Sequence, residues 1–196
     1  MIEPRGRCAW AGADRPVPDH LMVAYHDDEW GVPVHDDDEL FERLILESFQ
    51  AGLSWSTILR KREAFRVAFK GFDPTVVAGF GEDDRARLMG DAGIVRNRAK
   101  IEATIDGAAA FLRTAADHGS FDRYLAAMVP PPPSRLLPTA RPGDIPATTP
   151  VSDALSADLR RRGFRFVGST IVYAFMQSVG LVDDHMPGCF RYVGPG

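Results

Sequence analysis

Apolar residues recur at helical spacing along most of this chain and almost nowhere alternate. Leu40, Phe41, Leu44, Ile45 and Phe49 fall three and four residues apart, the stripe of an amphipathic helix from about Asp38 to Ala51. Gly52 allows a sharp turn, and Ser54 is an N-cap for a second helix that starts at Trp55 and runs to about Phe69. Asp73-Pro74 pairs a cap with proline at the first helical position and opens a short helix to about Ala78. A helix from Glu82 to Met89 is broken at Gly93, and a long one follows from about Arg96 to Asp117, with Ile101, Ile105, Ala108, Ala109 and Leu112 inward. Phe121 to Val129, Ser152 (as N-cap) to Arg162 and the mostly apolar Phe166 to Val179 complete the helical set. The run Pro130 to Pro133 and the Pro/Thr-rich stretch to Pro150 cannot be helical and read as an extended surface connector. No period-2 alternation exceeds a few residues and no internal repeat is present, so the fold class is all-α.

One helical position breaks the pattern. At about 100° per residue, Glu47 lies only about 20° from Leu40, at the edge of the apolar stripe. A carboxylate turned toward a core needs a partner. Either an internal Arg or hydroxyl satisfies it, or it faces a site shared with the following turn and Trp55. A second irregular stretch, Ala24-Tyr25-His26-Asp27-Asp28-Glu29-Trp30-Gly31-Val32-Pro33, packs aromatics, an imidazole and carboxylates together and ends in breakers. It reads as an ordered loop lining a site rather than a regular element.

Composition narrows the class. With 196 residues, 45% hydrophobic and 26% charged, the chain has the make-up of a soluble globular protein with one sizeable core. No stretch approaches the roughly 18 apolar residues of a membrane span, and no apolar run follows the N-terminus, so the expected compartment is the cytoplasm. The net charge of −4 excludes a general polycation for nucleic acid. The charges are segregated, however. Arg60-Lys61-Arg62, Arg96-Asn97-Arg98-Ala99-Lys100 and Arg160-Arg161-Arg162-Gly163-Phe164-Arg165 are basic, and Asp36-Asp37-Asp38-Glu39 is acidic. Each run is a solvated face by default, but together they leave a phosphate-binding face open. A Gly-containing hairpin with basic residues opening the next helix can hold a phosphate, but on pattern alone an ordinary αα-hairpin is the favoured reading. The two cysteines, Cys8 and Cys189, are not expected to form a disulfide in a cytoplasmic protein. With His26 and His185 they make an S₂N₂ set of the type zinc favours, although spacing alone does not separate this from scattered histidines and buried thiols. His20, His35 and His118 are expected on the surface.

Five motifs, taken together, carry a resemblance. Arg7-Cys8-Ala9-Trp10, Tyr25-His26-Asp27-Asp28-Glu29-Trp30-Gly31, Gln50-Ala51-Gly52-Leu53-Ser54-Trp55, Phe166-Val167-Gly168-Ser169-Thr170 and Asp184-His185-Met186-Pro187-Gly188-Cys189 stand in the order of the DNA-3-methyladenine glycosylase I family, in the helix-hairpin-helix glycosylase superfamily. The resemblance covers nearly the whole chain. It implies a single glycosylase domain, residues 1–196: a terminal zinc-linked part (8–38 and 150–196), a helical part with the Gly93 hairpin (39–129) and the Pro-rich connector (130–150). The implied activity is hydrolysis of the N-glycosidic bond of 3-methyladenine in damaged double-stranded DNA after base flipping, leaving an abasic site without strand cleavage. The implied cofactor is one structural Zn²⁺ on Cys8, His26, His185 and Cys189. Glu47 would be the catalytic, base-binding carboxylate. Trp55 and Tyr25 would stack on the base, and Trp10 and Trp30 would complete an aromatic pocket. Gly52, Leu53 and Ser54 would wedge the duplex, with Gly93, Arg98 and Lys100 at the DNA backbone. A monomer without membrane attachment is expected. Met22 departs from some relatives, which carry a tyrosine there, so one pocket wall should be less aromatic. A catalytically weak module of the same fold that binds damaged bases is the alternative. A zinc hydrolase is a third reading, and four protein ligands would deny it an open metal position.

Overall fold

The computed structural model describes residues 5–12, 16, 19–131 and 133–195. The chain is predominantly helical, with α1 (His20–Asp28), α2 (Asp37–Gln50), α3 (Trp55–Ala68), α4 (Pro74–Ala78), α5 (Glu82–Gly90), α6 (Arg98–His118), α7 (Phe121–Met128), α8 (Pro150–Arg162) and α9 (Ser169–Ser178).

The centre is α2. Every residue from Leu40 to Phe49 is buried, so the expected stripe is enclosed on all sides, by α3, α6, α7 and α9. Its inward rings join a chain of phenylalanines. Phe49 sits 4.7 Å from Phe65 between ring centroids, Phe69 stacks on Phe72 at 5.5 Å, and Phe111 stacks on Phe121 at 4.1 Å. At about 1.5–3 kcal/mol for each buried large apolar side chain, this cluster is the main reason the helices share one centre. Capping follows the sequence closely. Asp36 accepts from Glu39 N, Ser54 from Thr57 N, Asp73 from Thr75 N and Val76 N, and Asn97 from Lys100 N.

Four expectations are corrected. The stretch around Tyr25 and His26 is not a loop: α1 spans His20–Asp28, started by the Asp19 side chain accepting from Met22 N. Its inward residues are Val23, Tyr25, His26 and Asp27, and Asp27 is held by Arg7 at 2.7 Å. Ser152 is not the N-cap of α8. Thr149 is, and Ser152 closes a capping box with it. The last long helix starts at Ser169, because Phe166 adopts a left-handed backbone (φ +55°) that helical residues avoid. Finally, the connector is not free of β structure. Ser134–Arg135 pairs in parallel with Val182–Asp183, stitching the Pro-rich segment to the chain beyond α9. No helix among the described residues is long and apolar enough to cross a membrane.

Candidate active site

A cavity of about 350 Å³ opens where α1, α2, α3 and α9 meet the 3-10 turn Ala9–Ala11. All five residues expected to form a base pocket line it: Trp10, Tyr25, Trp30, Glu47 and Trp55. The rings form a cage rather than a stack. Trp10 meets Trp30 edge-on at 5.0 Å, and Tyr25 is tilted against Trp55 at 5.1 Å. Met22 lies in the wall as well, so that side is less aromatic, as expected. Sequence reasoning missed Gln50, Ala174, Gln177 and Ile145. Ile145 is contributed by the Pro-rich segment, which therefore does more than cross the surface.

The Glu47 alternative is resolved by its neighbours. Glu47 is 3% exposed, and its Oε2 has no hydrogen-bond partner among the described residues. Arg43, one helical turn away, commits one nitrogen to Glu29 and Glu39, each at 2.9 Å. Burial pushes the Glu47 carboxyl up to about 8, against the pull of the Arg43 charge. On the same cavity, the indole Nε1 of Trp55 is also buried without a partner among the described residues. An orphaned buried polar atom costs about 1–3 kcal/mol, so two on one wall describe a surface complementary to something polar that enters.

Behind the cavity, Cys8, His26 and Cys189 bring their ligand atoms within 4.8 Å of one another. Cys189 Sγ lies 3.4 Å from His26 Nε2. The fourth expected ligand, His185, stands beside this trio, its ring 5.2 Å from that of His26. The two imidazoles are held alike: His26 Nδ1 bonds Asp27 at 2.8 Å, and His185 Nδ1 bonds Asp183 at 2.9 Å. That turns both Nε2 atoms toward the cluster, where His26 Nε2 accepts from Cys8 N–H at 3.3 Å and His185 Nε2 is buried with no hydrogen-bond partner among the described residues. Carboxylates behind imidazoles in this way fix the tautomer that binds a metal. Burial pushes the Cys8 thiol up to about 12 and holds His26 below its usual value. Backbone N–H groups of Met186 and Arg191 donate to the two sulfurs at 3.4 Å each. Gly31 (φ +76°) is required here, since a Cβ would lie 2.8 Å from His185 Cε1. The donor types are those zinc favours, and three of the four expected ligand atoms already lie together.

The methyladenine glycosylase family model matches residues 15–192. The chain belongs to that family. It is 47% identical over 188 residues to DNA-3-methyladenine glycosylase 1 of Escherichia coli K12, covering 96% of this chain and 97% of the relative. A Haemophilus influenzae DNA-3-methyladenine glycosylase is 43% identical over 93% of this chain and 96% of its own. Among solved structures, 3-methyladenine DNA glycosylase I of Staphylococcus aureus, described for its recognition of 3-methyladenine, superposes with a TM-score of 0.88 at 35% identity, covering 96% of this chain and all of that one.

In this glycosylase-family chain the turn after α2 projects beside the cavity mouth. Gly52 (φ +82°) and Ser54 are exposed, and Leu53 is 42% exposed although apolar. Arg98 is exposed, with only long contacts to Glu82 and Glu102 at 3.9 and 3.8 Å. Gly93 sits where the hairpin approaches α3: a Cβ would lie 2.9 Å from Ala64 Cβ, and Lys61 binds the Ala92 and Gly93 carbonyls. Lys100 is a correction. It faces the interior, 6% exposed, and its Nζ donates to Phe49 O at 2.8 Å and Ala51 O at 2.7 Å. A cation on the terminal carbonyls of α2 satisfies groups the helix cannot and complements its dipole. Lys100 thus braces the turn instead of reaching a phosphate. Most of the Arg160–Arg165 run is also engaged: Arg161 and Arg162 bind Asp158, and Arg165 binds Asp106.

Proposed function

We infer that this chain is a monofunctional DNA repair glycosylase that releases 3-methyladenine from alkylated duplex DNA by hydrolysing the N-glycosidic bond. Its curated relatives carry that name and one related structure holds 3-methyladenine. The observation that carries the reading is the carboxylate of Glu47, without a hydrogen-bond partner among the described residues, inside an aromatic cavity large enough to admit a purine.

Chemistry and geometry agree. N3-methylation makes the adenine of the nucleotide cationic, so the base is already a good leaving group and needs little acid catalysis. Extracting it from the stack costs a few kcal/mol, recovered by stacking and hydrogen bonds in the pocket. Indole and phenol faces attract a cationic ring, and the Glu47 carboxylate complements its donors. Trp55 and Tyr25 would stack on the base while Trp10 and Trp30 close the cage. The Gly52-Leu53-Ser54 turn would fill the gap left in the duplex. The Gly93 hairpin, as the helix-hairpin-helix element, would hold the backbone with Arg98 nearby. Strand cleavage would need a lysine at the sugar. Of the chain's three lysines, Lys61 and Lys100 are bound to backbone carbonyls and Lys70 is exposed outside the cavity lining.

A zinc ion held by Cys8, His26, His185 and Cys189 would supply structure only, since four protein ligands leave no position for water. The orphaned His185 Nε2 and the paired carboxylates behind both imidazoles support this assignment.

Incubation with methylated duplex DNA should release free 3-methyladenine and leave alkali-labile sites but no strand breaks. Tight binding to lesion DNA without base release would replace the glycosylase with a damaged-base-binding module of the same fold.

A further inference from the structure

Gln177, on α9, lines the base cavity, and its amide is not free to rotate. Its Nε2 donates to Asp184 Oδ2 at 2.7 Å, and the same oxygen accepts the Tyr173 hydroxyl at 2.7 Å. Asp184 is 3% exposed and Tyr173 is buried. A carboxylate only accepts hydrogen bonds. Turning the amide over would set a carbonyl against that carboxylate, two acceptors facing each other with the donor lost. The backbone is fixed as well, because the Gln177 carbonyl accepts from Gly31 N at 3.0 Å. The amide oxygen, Oε1, is therefore the end left for the cavity, and it accepts no hydrogen bond among the described residues.

We propose that Gln177 is a specificity-determining residue, its amide oxygen accepting from the exocyclic amino group of the flipped base, and that buried Asp184 is the positioning residue that fixes this orientation. The proposal rests on the glycosylase reading above and adds a division of labour. Glu47 carries charge and favours the cationic lesion, whichever purine it comes from. Gln177 is neutral and tests the 6-position. A 6-amino purine donates to it, whereas a 6-oxo purine sets one acceptor against another, which a buried site rejects strongly. Gln177 thereby makes 3-methyladenine a better substrate than 3-methylguanine, while Glu47 serves both.

The test is competitive release of both bases from one methylated duplex, read as the ratio of kcat/KM for 3-methyladenine over 3-methylguanine. This ratio does not depend on how much of a variant is folded. Gln177→Met removes the acceptor at similar length and should lower the ratio by roughly five- to tenfold, almost wholly through 3-methyladenine. Asp184→Asn lets the amide turn its NH₂ into the cavity and should lower the ratio further by raising 3-methylguanine release. Quenching of tryptophan fluorescence by free 3-methyladenine should weaken in Gln177→Met by a similar factor. A ratio unchanged in both variants, or a fall shared equally by both bases, overturns the proposal while the glycosylase reading stands. A wild-type chain that releases neither base overturns both.

Discussion

Replacing Glu47 by glutamine should stabilise the empty protein and cripple the enzyme. The wild-type carboxyl is lifted from the ordinary 4.5 to about 8 because it is buried without a partner. A raised acid stays protonated in the folded state while the unfolded chain ionises. Stability is therefore undiminished below about pH 4.5, falls as pH rises through that range, and levels off above about 8. At about 1.4 kcal/mol per pH unit, the cost is roughly 2 kcal/mol at pH 6, 3 at pH 7 and 5 above pH 8. Solvent in the cavity makes these ceilings. Glutamine bears only the burial of a neutral amide. Melting curves for wild type and Glu47→Gln from pH 4 to 9 should coincide at the acid end and separate with rising pH. The variant should melt higher by about 5–10 °C near neutrality, at about 2–4 °C per kcal/mol for a chain of this size. Base release at saturating protein should fall ten- to a hundredfold, the 1.5–3 kcal/mol scale of a charged hydrogen bond. A variant that melts lower at every pH and still releases 3-methyladenine normally would refute the reasoning, since it would mean that the carboxylate holds the fold together.

Other consequences are quicker to check. Cys189→Ala should lose about one equivalent of bound zinc by elemental analysis and melt well below wild type; a wild-type protein free of zinc with the same melting temperature as the variant would remove the metal site. Leu53→Ala should impair excision from duplex more than from single-stranded DNA, since a wedge matters only where a stack must be held open. Arg98→Ala should weaken duplex binding at all sequences and reduce the salt slope by about one. Lys100→Met should leave that slope unchanged and lower stability by about 2 kcal/mol, because the Phe49 and Ala51 carbonyls lose their donor.

Where the chain follows local rules, its sequence was sufficient. The α2 stripe, the Gly52 turn and the Ser54 cap sit where periodicity and capping chemistry put them. The failures share a physical cause. α1 has no apolar stripe because Val23 and Tyr25 share its inner face with His26 and Asp27, which are satisfied by Arg7, by Cys8 and by Cys189 from the far end of the chain. Lys100 follows Arg96 and Arg98 at a helix start and reads as surface, until α2 is brought over it with two unpaired carbonyls. Gln177 sits within an apolar helix and gives no signal of its own. Only the fold sets Asp184 behind it and the cavity in front.

The cluster that joins Cys8 to Cys189 also dictates when the enzyme can exist. Meeting across 181 residues costs roughly 5 kcal/mol of chain entropy, so this closure follows the shorter-range packing of α2 to α7. Trp10 reaches the cavity only through that closure, and Gln177 only through α9 and the Asp184 contact just before His185. A ribosome adding about 5–20 residues per second therefore completes α2 to α7 several seconds before the residues that hold Trp10 and Gln177 in the cavity have been made. A chain cut short of residue 183 would keep every residue that lines the cavity and lose Asp184 and Cys189, the contacts that seat Gln177 and the N-terminal turn.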